Sequence, residues 1–168
     1  MNTFFKAISF MILLTGFFAC TKKEATTIYS SYKPILMDKG RITTELFLAA
    51  PRPNNILGQM RRMGDYMLVL DYGQGLHIID ITNPAQPVKK GFYSIPACID
   101  FEVKDNMVYA NNYRDFVMID FSNINQPMQA RREANAFDID VKAPDGLSVY
   151  NGLTDIPAGT VIISYEKI

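Results

Sequence analysis

The stretch "DITNPAQP", Asp80 to Pro87, recurs 40 residues later as "DFSNINQP", Asp120 to Pro127. At that offset Asp65, Met67, Ile79, Asp80, Asn83, Gln86 and Pro87 coincide with Asp105, Met107, Ile119, Asp120, Asn123, Gln126 and Pro127, seven identities in 23 positions. Leu76/Phe116, Ile78/Met118 and Thr82/Ser122 match in kind. The composition of the octapeptide is that of a turn. Asp80 and Asp120 can accept backbone N–H bonds, Asn83 and Asn123 tolerate left-handed backbone, and Pro87 and Pro127 stop further ladder pairing. A turn written twice implies a supersecondary unit built twice.

Outward from the turn, the chain alternates short β-prone runs with turn residues. The runs are "YMLVL" (66–70), "GLHIIDI" (75–81), "VKKGFYS" (88–94), "CIDFEV" (98–103), "MVYAN" (107–111) and "FVMIDF" (116–121). Strands this short and this regular indicate an all-β fold. A period near 40 with about four strands per unit describes a propeller blade. The octapeptide then ends a blade's third strand and turns into its fourth. A third copy starts at "FDIDVKAPDGLSVYN", where Asp145, Leu147 and Asn151 stand 40 beyond Asp105, Met107 and Asn111, and "TVIISYE" follows a few residues late. The expected fold is a propeller-like repeat of four-stranded antiparallel blades, two complete and a third partial. Closed propellers typically have four to eight blades, so this one is either open or closed by association, as a homo-oligomer. "RITTELFL" (41–48) reads as a strand or a short helix, and "AAPRPNN" (49–55) as a long turn or boundary.

The N-terminus has a different character. Residues 1–19 place Lys6 before an apolar run from Ala7 to Phe18 and end in Ala19. The run is shorter than the roughly 20 residues of a membrane-spanning helix and has the layout of an export signal. "FFAC" followed by "TKKE" resembles the lipobox of bacterial lipoproteins. That resemblance implies diacylation of the Cys20 thiol, cleavage before Cys20 and acylation of the new amine. Residues 1–19 are thus a lipoprotein signal peptide, 20–45 the lipid attachment site and tether, and 46–168 the β-repeat domain. Two or three acyl chains would hold such a protein on a membrane.

"GLHIIDITNPAQPV" and "FVMIDFSNINQPM" resemble the LVIVD repeat, an apolar strand ending in aspartate and followed by a Ser/Thr-Asn-Pro-x-x-Pro turn. With "APRPNN…GQMRRMGDYMLVLDYGQGLHIID" and "PACIDFEVKDNMVYANNYRDFVMID", the chain looks like the Bacteroidota lipoproteins that carry such repeats, over residues 50 to 166. The resemblance implies a propeller-like β fold exported to the cell envelope, at the outer membrane, with no catalytic residues to carry over. Ile124 departs from the pattern, standing where the second turn would have its first proline.

Charge and reactive side chains narrow the function. The whole chain has 17 basic and 17 acidic residues, and loss of residues 1–19 removes one lysine. Such a chain has no electrostatic footprint for nucleic acid. Cys98 lies in apolar "IPACIDFEV", where free cysteine behaves as a small buried hydrophobe. His77, the single histidine, sits mid-strand and reads as a packed or rim residue rather than a general base. The octapeptide carboxylates are too few for the six to eight oxygens of calcium, and Asp138-x-Asp140 lacks the later donors of an EF-hand loop. No P-loop, dinucleotide fingerprint, CxxC pair or HExxH is present, so no catalytic residue, metal or cofactor is expected. The loops "YGQG" (72–75) and "NYRD" (112–115) put Tyr72, Tyr113 and Arg114 on equivalent corners as a binding rim. The expected function is a lipid-anchored, non-catalytic β-repeat module binding a protein or glycan partner. The alternatives are an envelope hydrolase using Asp100, Asp138 or Asp140, and a self-associating structural protein.

Overall fold

The computed structural model describes residues 30–148 and 155–168. The export signal, Cys20, the first part of the tether and Asn151 lie outside the described residues. No helix among the described residues is long and apolar enough to cross a membrane.

The described chain is mostly β, in three antiparallel sheets of five, four and two strands. Its elements are β1 (Tyr32–Asp38), α1 (Lys39–Ile42), β2 (Phe47–Ala49), β3 (Leu57–Met63), β4 (Tyr66–Asp71), β5 (Gly75–Asp80) and β6 (Val88–Ser94). They continue with β7 (Phe101–Lys104), β8 (Met107–Asn112), β9 (Asp115–Asp120), β10 (Met128–Glu133) and β11 (Thr160–Lys167). The first sheet has the order β2-β6-β5-β4-β3 and the second β10-β9-β8-β7. Each is a four-stranded meander in which the octapeptide joins third strand to fourth. The first sheet has a fifth strand, β2, which adds at the free edge of β6. "RITTELFL" therefore supplies both a helical turn and a strand.

The two octapeptides fold alike. Asp80 Oδ1 accepts from Thr82 N at 2.9 Å and Asp120 Oδ1 from Ser122 N at 2.8 Å. These bonds, with those of the Thr82 and Ser122 side chains, hold both carboxyls below their usual range. Asn83 Oδ1 accepts from Ala85 N and Asn123 Oδ1 from Asn125 N, so the asparagines act as Asx-turn acceptors. Neither has positive φ, so the left-handed backbone that asparagine tolerates is not used in these turns.

Turn geometry refines the period. Gly64 and Asp105, with φ of 57° and 55°, occupy the same place in the β3–β4 and β7–β8 turns, 41 residues apart. Tyr66 faces Asp80 and Met107 faces Asp120, so the second strand repeats at 41 and the third at 40. The missing residue is in the following loop, Tyr72-Gly73-Gln74 in the first sheet against Tyr113-Arg114 in the second. Met67 and Met107, identical at offset 40, are thus not equivalent.

That offset decides which faces correspond. Leu68, Leu70, Leu76 and Ile78 on the first sheet pack in one core with Val108, Ala110, Val117 and Ile119 on the second. Side chains alternate faces along a strand, and the equivalents of the first four residues are Tyr109, Asn111, Phe116 and Met118, on the opposite face of the second sheet. The sheets therefore stack in the same sense, back of one against front of the next, as successive blades do. The first strands β3 and β7 lie side by side: Arg61 Nη2 meets Glu102 Oε1 at 2.6 Å, and Gln59 Nε2 donates to the Phe101 carbonyl at 2.7 Å. This arrangement is consistent with a partial propeller, and the sheets among the described residues do not close into a ring.

The third unit differs from a blade. Residues 136–148, where the third copy begins, form no strand, and β11 pairs with β1 from the other end of the chain. The folded region thus starts earlier than position 46: β1 and α1 fall within the segment assigned to the tether. Ser30 Oγ donates to Asp145 Oδ2 at 2.9 Å, fixing its beginning.

Candidate functional site

In an antiparallel meander, successive connections alternate ends. The β4–β5 loop, the β8–β9 loop and the β6–β7 linker therefore share one end of the stacked sheets. The β1–β11 sheet packs against that end. Val161, Ile163 and Tyr165 of β11 form a second core cluster with Ala97 of the linker, and Tyr72 and Tyr113 pack against it. The Tyr72 amide donates to the Ile56 carbonyl at 2.7 Å, and its carbonyl accepts from Ser164 Oγ at 2.6 Å. Gly73 donates to the Cys98 carbonyl at 2.6 Å. Arg114 pairs with Asp140 at 3.0 Å and Asp138 at 3.5 Å, and these carboxylates raise its pKa, the Asp140 hydrogen bond most. Tyr72, Tyr113 and Arg114 thus come to one end of the molecule, half-buried under the two-stranded sheet. Tyr113 and Arg114 line a cavity of about 340 Å³ with Asp140 and Val161.

A second group at this end joins His77, read from the sequence as packed or at the rim and here buried, to residues not singled out there. Asp71, at the end of β4, is fully buried. Its Oδ2 accepts from the Asn55 amide at 3.1 Å and lies 3.1 Å from His77 Nε2; its Oδ1 accepts from the Ile56 amide at 3.1 Å. Arg52 Nη2 stands 3.6 Å away, with its guanidinium carbon 3.7 Å above the centre of the Phe92 ring. Burial works to raise the Asp71 carboxyl, but the bonds from His77, Ile56 and Asn55 outweigh it and hold it below the usual range. His77 is 1% exposed, edge-on to Phe92 at 5.0 Å. With the Nε2 proton directed at Asp71, Nδ1 is left as a buried acceptor with no partner. This group covers one end of the outer face of the first sheet: it ties residues 52–56 across Val69, His77 and Phe92, while on the same face Met60 is exposed and Met67 and Ile79 are half-buried.

Asn111, one residue before the positional counterpart of Asp71, plays a similar part in the second sheet. Its Oδ1 accepts from the Ile99 and Asp100 amides at 2.8 and 3.1 Å, while Nδ2 donates to the Ala97 and Tyr113 carbonyls at 2.7 and 3.1 Å. In both sheets, then, a buried side chain near the end of the second strand grips the two amides leading into the first strand. Asn111→Ala strands four backbone groups and should lower unfolding free energy by about 2–3 kcal/mol, read as a shift in urea midpoint at constant slope.

The residues considered for hydrolysis do not converge. Asp138 and Asp140 are exposed at 96% and 65% and held by Arg114, while Asp100 is hydrogen-bonded to Gln59. Among the described residues no group of three His, Cys, Asp or Glu could hold a metal. Cys98 is fully buried, and burial pushes its thiol up to about 12, leaving almost no thiolate at neutral pH.

An apolar groove lies on the back of the second sheet. Tyr109 and Phe116 stack there at 6.3 Å with an angle of 26°, and Phe137, from the segment after β10, meets Phe116 edge-on at 6.3 Å. With Ile99 and Ile139 they line a cavity of about 370 Å³, overwhelmingly apolar and bordered by Asp100 and Glu102.

An LVIVD repeat is present over residues 63–94, from the last residue of β3 through β6. No curated protein matches the chain, and no solved structure does.

Proposed function

We propose that this protein is an exported lipoprotein of the Bacteroidota type, held at the outer membrane by acylated Cys20, whose β-repeat domain is a non-catalytic module for a partner in the cell envelope. The observation that carries the reading is the pairing of a half-exposed aromatic groove, formed by Tyr109, Phe116 and the exposed Phe137, with carboxylates and a thiol that are occupied or inert. Large exposed apolar patches on small domains mark interaction sites. The sparsely polar lining of that face favours a protein over a glycan.

Anchoring and binding are tested separately. Cys20→Ser should move the full chain from the membrane pellet to the soluble fraction and abolish labelling by a radioactive fatty acid; membrane retention without label would remove the anchor from the account. For binding, Met118→Lys on the open face should reduce partner recovery from envelope membranes at least about tenfold, with folding unchanged. Equal recovery by parent and variant would place binding elsewhere.

A further inference from the structure

Resting on that reading, we propose that the aromatic groove on the back of the second sheet is an arginine-binding site: the partner protein presents an arginine whose guanidinium lies against the rings of Tyr109, Phe116 and Phe137 and pairs with the carboxylate of Asp100.

The charges around the groove are complementary to a cation. Two carboxylates, those of Asp100 and Glu102, line its cavity of about 370 Å³, and no lysine or arginine does. Glu102 is neutralised in place, since Arg61 donates to both of its oxygens, Nε at 3.0 Å and Nη2 at 2.6 Å. The Asp100 carboxylate has only the uncharged Gln59 amide as a partner among the described residues. Just outside, Asp138 and Asp140 share one guanidinium, that of Arg114, so a second negative charge is left over beside Phe137. The other cations of this sheet face stand apart. Arg131 pairs with Glu133, and Lys104 is opposite Met107, at the far end of the strands from the Asn111–Phe116 pair.

The apolar part of the groove suits a guanidinium better than an ammonium. Tyr109 and Phe116 lie within 26° of parallel, and Phe137 turns 65° from Phe116, each pair 6.3 Å apart, so rings in two orientations border one cavity. A flat, weakly hydrated guanidinium stacks on such rings while its edge N–H groups still reach a carboxylate, whereas an ammonium holds its water. This chain makes the same combination twice within itself. Arg52 has its guanidinium carbon 3.7 Å above the centre of the Phe92 ring and Nη2 3.6 Å from Asp71, in the group that ties residues 52–56 to the first sheet. The Arg114 guanidinium carbon lies 5.5 Å from the centre of the Tyr113 ring, with Nη2 3.0 Å from Asp140. In the groove the rings and the carboxylate are in place and no arginine of the described residues lines it, so the partner supplies one.

The test is an NMR titration of the full chain in detergent micelles, with isotope-labelled aromatic side chains, using Nα-acetyl-arginine amide as the probe and its uncharged isostere, Nα-acetyl-citrulline amide, as the control. Arginine amide should shift the ring signals of Tyr109, Phe116 and Phe137 saturably, and citrulline amide should bind at least about tenfold more weakly. This comparison is made on the parent and needs no variant. Asp100→Asn should weaken arginine amide about threefold or more and leave citrulline amide unchanged. Folding of the variant is checked by Cys98, which is buried in the native chain and must stay unreactive to a thiol reagent. Equal affinity for the two probes, absence of ring shifts, or no effect of Asp100→Asn overturns the arginine. The binding module survives such a result if Met118→Lys still lowers partner recovery, and falls with it if recovery is equal.

Discussion

Asp71→Ala is expected to lower the free energy of unfolding by about 3–5 kcal/mol, the range for breaking a buried charged pair from one side. The carboxylate receives the Asn55 and Ile56 amides and faces His77 and Arg52. Its removal leaves two amides, an imidazole N–H and part of a guanidinium without an acceptor in a site closed to water. Residues 52–56 should then lift from the first sheet, exposing Val69, His77 and Phe92. Asp71→Asn keeps one acceptor oxygen and should cost less. The pH dependence follows from the direction of the shift: the folded pKa lies below the unfolded value, so the contribution is complete above the unfolded carboxyl pKa. It is lost as pH falls through the folded pKa. The parent should therefore lose stability on acidification below about pH 4, and Asp71→Ala should lose less over that interval. A change under about 1 kcal/mol for Asp71→Ala would mean that the group is not the anchor described.

Gly73→Ala should have a comparable effect through the opposite fault, an excess of atoms. Gly73 has φ +75° and lies beneath β11, and a Cβ there would overlap the Ile163 carbonyl oxygen and stand 2.8 Å from Ser164 Cα. The obstacle is backbone on both counts, so no rotamer relieves it. To the roughly 1 kcal/mol of left-handed strain is added displacement of β11 from the β4–β5 loop, for a total of about 3 kcal/mol or more. Gly64→Ala is the control: φ is +57° but nothing lies within 4 Å of the new atom, so only the strain remains. Hydrogen exchange at β1 and β11 should accelerate in the Gly73 variant with β4 and β5 protected. Unchanged exchange in β11 would show that the two-stranded sheet does not rest on this loop.

The comparison of sequence with structure turns on particular residues. The octapeptides were legible because their information is local: Asp80 and Asp120 bond two residues on, and Pro87 and Pro127 close the turn, with ladder pairing resuming at the next residue, Val88 and Met128. The slip between 41 and 40 was hidden because "YMLVLD" is apolar at five successive positions and so has no readable alternation, while Met67 and Met107 suggest a single offset. Strand β1 was absorbed into the tether because Lys33 and Pro34 break its pattern and its partner, β11, is more than 120 residues away in sequence. Of the site, Tyr72, Tyr113 and Arg114 could be placed on equivalent corners, but what covers them is set by that same long-range pairing. Asp71 was not singled out, since nothing local separates it from the strand-ending Asp80 and Asp120. Its distinguishing signal was parity, since it shares a strand face with Val69 and His77, and a charged residue on a face otherwise apolar needs a partner.

The account depends most on the second repeat being a sheet with the same orientation as the first, slipped by one residue in its second strand. Cross-strand NOEs between β8 and β9 test it directly. The account predicts contacts placing Met107 opposite Asp120, Val108 opposite Ile119 and Ala110 opposite Val117, with Tyr109 and Phe116 showing no contact to Leu76 or Ile78. Contacts placing Met107 opposite Ile119, as a uniform offset of 40 requires, would put Tyr109 and Phe116 on opposite faces of their sheet and contradict the stacking from which the open face was derived.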